Sequence, residues 1–318
     1  MVGIKPYFIG EKMENTNIVK KKIDVGQTIF IIAMLIIPII SFLFFYVYIN
    51  INSFLMAFQI PLYDGLGGVR WGFVNFEKII SQFFNTEEDL LLYIRNGVIF
   101  YCQDTFISMP LSLIICYFIY KKIACFKAFR VIIYLPIIIP GTVFVTLYKT
   151  MIEAGGPYQM LCGKFGVEPP TTFIFNEQYA LKTILIYVIY SGLGGRFILF
   201  GGAMNAIEPS IIEAAKLDGA GPFRELISII LPCIWPTFAT MVLLSSTGLF
   251  TASGPLLLFD KGDYGTCTIS YWIYKVTTGD GGAGESYELA AATGMIFTIL
   301  TLPIVFITKS LTKITEDN

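Results

Sequence analysis

The chain has 318 residues, 55% hydrophobic and only 14% charged, with a formal net charge of −1 and a mean hydropathy of +0.69. A soluble domain this apolar would expose too much greasy surface, whereas membrane-spanning helices need ~20 apolar residues per crossing. There is no histidine, which removes HExxH zinc chemistry, Ser-His-Asp triads and His-ligated haem together.

Taken in chain order, a polar segment over 1–27 ends near Lys20-Lys21-Lys22. The apolar stretch after it is long and lacks a small-residue cleavage site, so it reads as a retained anchor rather than a signal peptide. Six apolar stretches follow, at about 28–49, 96–119, 129–148, 181–204, 229–250 and 289–308. The expected fold is therefore an all-α integral membrane protein with six transmembrane helices, its transmembrane domain covering 28–310 and a short tail 311–318. Long continuous runs argue against a β-barrel, whose strands alternate over ~10 residues.

Charge sets the orientation. With the N-terminus inside, the internal segments carry 13 Lys/Arg. The longer external loops carry eight, among 13 acidic residues, and Asp104 and Arg196 fall within spans. The positive-inside rule then places both termini, and the segment 205–232, in the cytoplasm. The external stretches Trp71–Ile80 and Gly155–Asn176 become the landing surface for an outside partner.

Few residues break the apolar pattern inside the spans. Asp104, with Gln103, lies in the second, and Arg196 lies in the fourth beside Tyr187, Tyr190 and a cluster of glycines. Ionisable groups in a bilayer are costly against lipid and face the interior or a cavity. At 1.5 Å per residue Asp104 is roughly 12–15 Å deep and Arg196 roughly 20–22 Å, an offset an arginine spans. Asp104 and Arg196 are either a buried interhelical pair or part of a translocation path. Tyr187 and Tyr190, three apart on one face, either stack on a sugar ring or line an interface. The glycines favour close helix packing over ligand contact.

Between the fourth and fifth stretches the chain reads EAAKLDGAGPFRELISIILP. Pro209 starts a short helix to Leu217, rich in the helix former Ala, and Gly219 ends it. A second piece runs from about Pro222 into the next span. The spacing Glu213-Ala214-Ala215-x3-Gly219-x9-Ile229-x-Leu231-Pro232 resembles the EAA loop of binding-protein-dependent ABC importer permeases. Asp218-Gly219-Ala220 is similar to the carbohydrate-uptake branch, the maltose-type and glycerol-phosphate-type permeases. Weaker matches extend it: Asn75-Phe76, Phe129-Arg130, Leu135-Pro136 and GGAMNAIEP over 201–209.

The resemblance implies a role for the loop. Glu213, Ala214, Ala215, Asp218, Gly219, Leu231 and Pro232 would dock in a groove of an ATP-binding subunit, with Glu213 as charge anchor. The plainer alternative for Glu213 is a pairing with Lys216 on the same helix, worth a few tenths of a kcal/mol. The implied partners are a second, similar permease chain, two ATP-binding subunits that carry ATP and Mg, and an extracytoplasmic solute-binding protein. The implied setting is a bacterial or archaeal inner membrane, and the implied cargo a di- or oligosaccharide. Glycerol phosphate or a polyol is the alternative cargo; a self-contained secondary carrier is the alternative class, and a membrane enzyme a third.

No cofactor, metal site or nucleic-acid partner is expected of the chain itself. Gly163-Lys164 would need a glycine at position 158 to make a phosphate-binding loop, and Tyr158 stands there. The glycine-rich run 279–285 reads as an external turn. Six cysteines form no CxxC; a bridge between Cys162 and Cys267, both external, is conceivable.

Overall fold

The computed structural model describes residues 25–62, 68–84, 90–167, 169–170, 172–280 and 286–314. Most of the expected N-terminal segment 1–27 with its lysine cluster, most of the run 279–285 and the end of the tail lie outside the described residues.

The chain divides into two units, Met1–Asn52 and Ser53–Asn318. The first holds α1 (Val25–Ser41), a π-helical stretch, Phe42–Tyr48, and the start of α2 (Ile49–Met56), whose last four residues belong to the second. Together they make a span of 28 residues, Ile29–Met56, longer than the expected stretch. Its Ile, Phe and Leu side chains are exposed, as a lipid-facing helix requires.

In the second unit a short hairpin, β1 (Gln59–Pro61) and β2 (Val69–Trp71), pairs antiparallel with Ile60 opposite Arg70. It leads into α3 (Val74–Phe84). The buried Asn75 amide donates to the carbonyls of Ala57 and Gln59, at 3.0 and 2.8 Å, fixing the start of α3 against the hairpin. The expected landing stretch 71–80 is thus largely helix.

The second span is α4 (Leu90–Gln103), a π-helical turn Asp104–Ser108 and α5 (Met109–Tyr120). Near its start, the buried Asn96 amide donates to the carbonyls of Gly265 and Cys267, at 2.8 and 2.9 Å.

The third stretch departs from the straight crossing expected over 129–148. It is two helices, α6 (Phe126–Ile138) and α7 (Gly141–Ile152), and the direction turns by 113° between 126–138 and the segment 141–164 beyond the break. The cause is Pro140: its ring drives the preceding residue out of the helical region, and Ile139 sits at φ −81°, ψ 133°. After α7, α8 (Pro157–Lys164) occupies part of the expected external loop 155–176.

The fourth span, α9 (Ala180–Asn205), is one unbroken helix close to its expected bounds. A Cβ at Gly194 would meet the Ile133 carbonyl at 3.0 Å, so α6 and α9 approach closely because that position has no side chain. Three elements follow: α10 (Pro209–Leu217), α11 (Pro222–Glu225) and a π-helical turn Leu226–Ile230.

The fifth stretch, expected as one helix over 229–250, is also bent. Short α12 (Leu231–Cys233) and α13 (Trp235–Thr247) meet at Ile234 (φ −99°, ψ 10°), where the arm 222–233 and α13 turn by 79°. Pro232 and Pro236 flank that joint, each lacking the N–H a continuing helix would use.

Beyond it come α14 (Leu256–Phe259) and α15 (Ile269–Thr278), a helix the hydropathy pattern did not announce, and then α16 (Tyr287–Ile314). Among the described residues four helices are long and apolar enough to cross a membrane, or up to six if each bent pair counts as one span. The conceivable bridge is not formed: Cys162 and Cys267 are free thiols, Cys162 half-buried on α8 and Cys267 buried just before α15.

Two clusters make most of the core. One gathers Tyr117, Phe200, Met204, Ile230 and Ile234 at the end that carries α10. The other gathers Phe144, Tyr187, Phe259, Trp272 and Val276 at the end that carries α15.

Candidate functional site

The first candidate site is the α10 segment. Pro209 occupies its first turn, where a missing N–H costs nothing. At its end Gly219 N donates to Lys216 O at 3.1 Å and Ala220 N to Ala215 O at 3.0 Å, the paired bonds of a helix stop that needs a left-handed residue. Gly219 supplies it at φ +72°. Ile212 and Ala215 are buried, while Glu213, Ala214, Leu217, Asp218 and Gly219 are exposed. The helix therefore has one face sunk into the bundle and one facing out. Leu217 is 89% exposed and Phe223, just beyond the turn, 71%, an unusual display for large apolar groups. Glu213 makes no ion pair with a described residue, so the pairing with Lys216 is not formed. Leu231 is half-buried and Pro232 exposed at the start of α12.

What ties this segment to the spans escaped the sequence reading. Lys121, at the end of α5, donates to both carboxylate oxygens of Glu225 at 2.8 Å. Glu225 is only 3% exposed and Lys121 26%. The two residues are 104 apart in the chain, and no local pattern marks them.

The second candidate site is intramembrane. Asp104 and Arg196 form an ion pair between the second and fourth spans. The other Asp104 oxygen accepts from Ser245 Oγ of α13 at 2.9 Å, and Ser245 also bonds Thr105 Oγ1 at 2.8 Å. The pair lines a cavity of about 350 Å3, with Ser245, Phe100, Tyr101 and Met241 around it. Asp104 opens the π-helical turn, where Met109 N reaches back five residues to Asp104 O. Such turns are common at functional sites because one extra residue re-aims the side chains around it. Ser245 was not singled out from sequence; a serine in an apolar run is too common a signal.

The tyrosines stand elsewhere. Tyr187 is 6% exposed and packs among Phe144, Tyr148 and Phe259, ring centroids 5.1–5.4 Å apart. Tyr190 donates its hydroxyl to Ile132 O at 2.8 Å. That is the carbonyl Pro136, four residues on, has no N–H to satisfy. Both rings therefore serve packing between α9 and the broken third span.

On the α15 side, Asp260 is buried, accepting from Thr266 Oγ1 at 2.6 Å and Gly262 N at 3.1 Å. Burial pushes its carboxyl above the usual range, against the downward pull of those two bonds. Burial likewise raises the Cys267 thiol to about 12, which keeps it protonated and unreactive. Among the described residues no group of His, Cys, Asp and Glu could hold a metal ion.

Comparison with known proteins gives a consistent picture. Residues 94–317 match the family model described as binding-protein-dependent transport system inner membrane component. The polygalacturonan/rhamnogalacturonan transport system permease protein YteP of Bacillus subtilis is 27% identical over 66% of this chain and 65% of its own length. The maltose/maltodextrin transport system permease protein MalF of Escherichia coli is 24% identical over 78% of this chain and 50% of its own. The chain thus spans between half and two-thirds of these two relatives. The diacetylchitobiose uptake system permease protein NgcF of Streptomyces coelicolor is 25% identical over 92% of this chain and 86% of its own. In fold, the chain superposes on a bacterial ABC transporter involved in import of the acidic polysaccharide alginate. That match has a TM-score of 0.76 at 24% identity, over 91% of this chain and 97% of the other.

Proposed function

The chain belongs to the family of binding-protein-dependent transport system inner membrane components, and on that premise we propose that it is a permease subunit of an ATP-driven importer of di- or oligosaccharides. It crosses the membrane six times, with each bent pair making one crossing and both termini in the cytoplasm. A second permease chain completes the path, two ATP-binding subunits supply ATP and Mg, and an extracytoplasmic solute-binding protein delivers the sugar. The chain itself carries no catalytic residues.

The observation that carries this reading is the two-faced α10. Its buried side, Ile212 and Ala215, locks it to the bundle, and on its outer side Glu213, Ala214, Asp218 and Gly219 are exposed. A rigid handle of this kind transmits a push from a partner into the spans. Glu213 offers a charge-assisted contact to a partner Arg or Lys. Leu231 and Pro232 set the joint at which the handle re-enters the bundle.

For the cargo path, Asp104, Arg196 and Ser245 present charge-compensated polar groups to the 350 Å3 cavity. Compensated charge suits a neutral sugar hydroxyl better than glycerol phosphate, since Arg196 is already held by Asp104.

The test is Glu213→Ala and Gly219→Leu, separately and together, in the assembled importer. The expected result is normal membrane insertion, a several-fold loss of co-purifying ATP-binding subunit, and loss of sugar uptake. Normal uptake with both changes present, or sugar uptake by the purified chain alone, would overturn the reading.

A further inference from the structure

The end of the bundle that carries α10 also holds a second polar cavity, which the transport reading leaves unused. It has a volume of about 260 Å3 and opens between the facing ends of α5, α6 and α9. It is lined by buried Cys116 and Phe197 and by exposed Lys122, Arg130, Gly202 and Asn205. From this geometry we infer that the cavity binds the phosphate of an anionic phospholipid, with the acyl chains lying along α6 and α9.

Charge is the first reason. Neither Lys122 nor Arg130 forms an ion pair with a described residue, so two cations face one cavity with no counter-charge. Lys121, the neighbour of Lys122, is by contrast fully engaged with Glu225. An arginine fork beside a lysine point charge matches a phosphate's oxygens. Tyr120 and Tyr134 add two hydroxyls to the lining.

Backbone geometry sets where the lysine side chain starts, and a ring contact positions the arginine. Lys122 sits at φ +53°, a left-handed conformation a lysine adopts only when its surroundings impose it. The turn is fixed by Lys122 N donating to Ile119 O at 3.0 Å. The Arg130 guanidinium lies over the Phe126 ring, 5.9 Å from its centroid. Basic pockets between helices at the membrane's charged face are the usual setting for anionic headgroups.

The surroundings point to a lipid rather than a soluble anion. Ile198 lines the cavity and is exposed, as are Leu199 on α9 and Phe129, Val131 and Ile132 on α6. Arg130 stands four residues into α6, about 6 Å along the helix from its start. A free phosphate would gain nothing from that apolar flank; acyl chains would.

The experiment is native mass spectrometry of the full-length chain, released from nanodiscs of equal phosphatidylglycerol and phosphatidylcholine. Wild type should keep a phosphatidylglycerol adduct through detergent washing, and Lys122→Gln/Arg130→Gln should keep it several-fold less. Gly202→Leu, which retains both charges but puts a side chain into the lining, should also lose it, and it carries the test if the charge variant fails to insert. Inorganic phosphate at millimolar concentration should not displace the adduct. Equal retention in wild type and variants, or equal retention of phosphatidylcholine, overturns the proposal. Displacement by inorganic phosphate overturns the lipid assignment in favour of a soluble anion.

Discussion

Removing the ammonium opposite Glu225 tests how the handle is held to the bundle. Both Glu225 oxygens lie 2.8 Å from Lys121 Nζ, and the carboxylate is 3% exposed. In Lys121→Met that carboxylate keeps its place without its cation, only the Tyr117 side chain remaining beside it, and losing one member of a buried pair costs about 3–5 kcal/mol. Lys121 is 26% exposed, so water already screens the pair and the low end, about 3 kcal/mol, is expected. Glu225→Leu is milder, about 1 kcal/mol, because a half-exposed lysine swings its ammonium into water. The double variant leaves no stranded charge and should also cost about 1 kcal/mol.

The cycle then yields a coupling of about 3 kcal/mol, well above the additivity limit for independent sites. Equilibrium unfolding in mixed micelles, followed by tryptophan emission, measures all four species. Lys121→Met should in addition lower recovery of the ATP-binding subunit, since α11 is released from α5. Single costs that simply add would refute the argument that these groups stabilise each other.

Two further outcomes follow from the intramembrane and outer sites. Exchanging the pair, as Asp104→Arg with Arg196→Asp, should restore the insertion lost in either single change while lowering sugar uptake, because Ser245 no longer faces a carboxylate. Full uptake in the exchanged protein would make the pair a scaffold only, and radiolabelled sugar uptake in vesicles reads the difference. For Asp260, whose carboxyl burial holds above its ordinary value, the folded state binds the proton more tightly than the unfolded chain does. Its contribution to stability is therefore complete below the unfolded value of about 4 and is lost as pH rises through the raised folded one. Asp260→Asn should flatten that part of the pH dependence, seen as melting temperature against pH; an unchanged profile would remove Asp260 as its source.

How much of this was legible in the sequence depends on the range of the interactions. The bounds of α10, Pro209 to Leu217, and the left-handed Gly219 follow from local chemistry, because proline at a start and glycine at a stop act within one turn. The Asp104–Arg196 pairing was open to inference because lone charges in a bilayer seek each other. The breaks at Ile139 and Ile234 were not recovered, since mean hydropathy over a window carries no direction. The Ile139-Pro140 step was the available signal, and it was read as an ordinary position inside a span. Tyr190 satisfies the carbonyl that Pro136 abandons, a contact across two helices that no local spacing shows. Lys121–Glu225 could not be found at all: each residue reads alone as a common surface charge, and only the fold brings them together.

Asn96 has a consequence for how outer events reach the interior. Its amide staples the backbone at Gly265 and Cys267 to α4, and Asp104 stands eight residues further along, about 12 Å down the axis. Helical rods are stiff over two turns, so a visitor displacing that segment must either drag the rod with it or snap both staples. Displacement at Gly265 and Cys267 and rearrangement at the half-buried Asp104 carboxylate are thus mechanically linked.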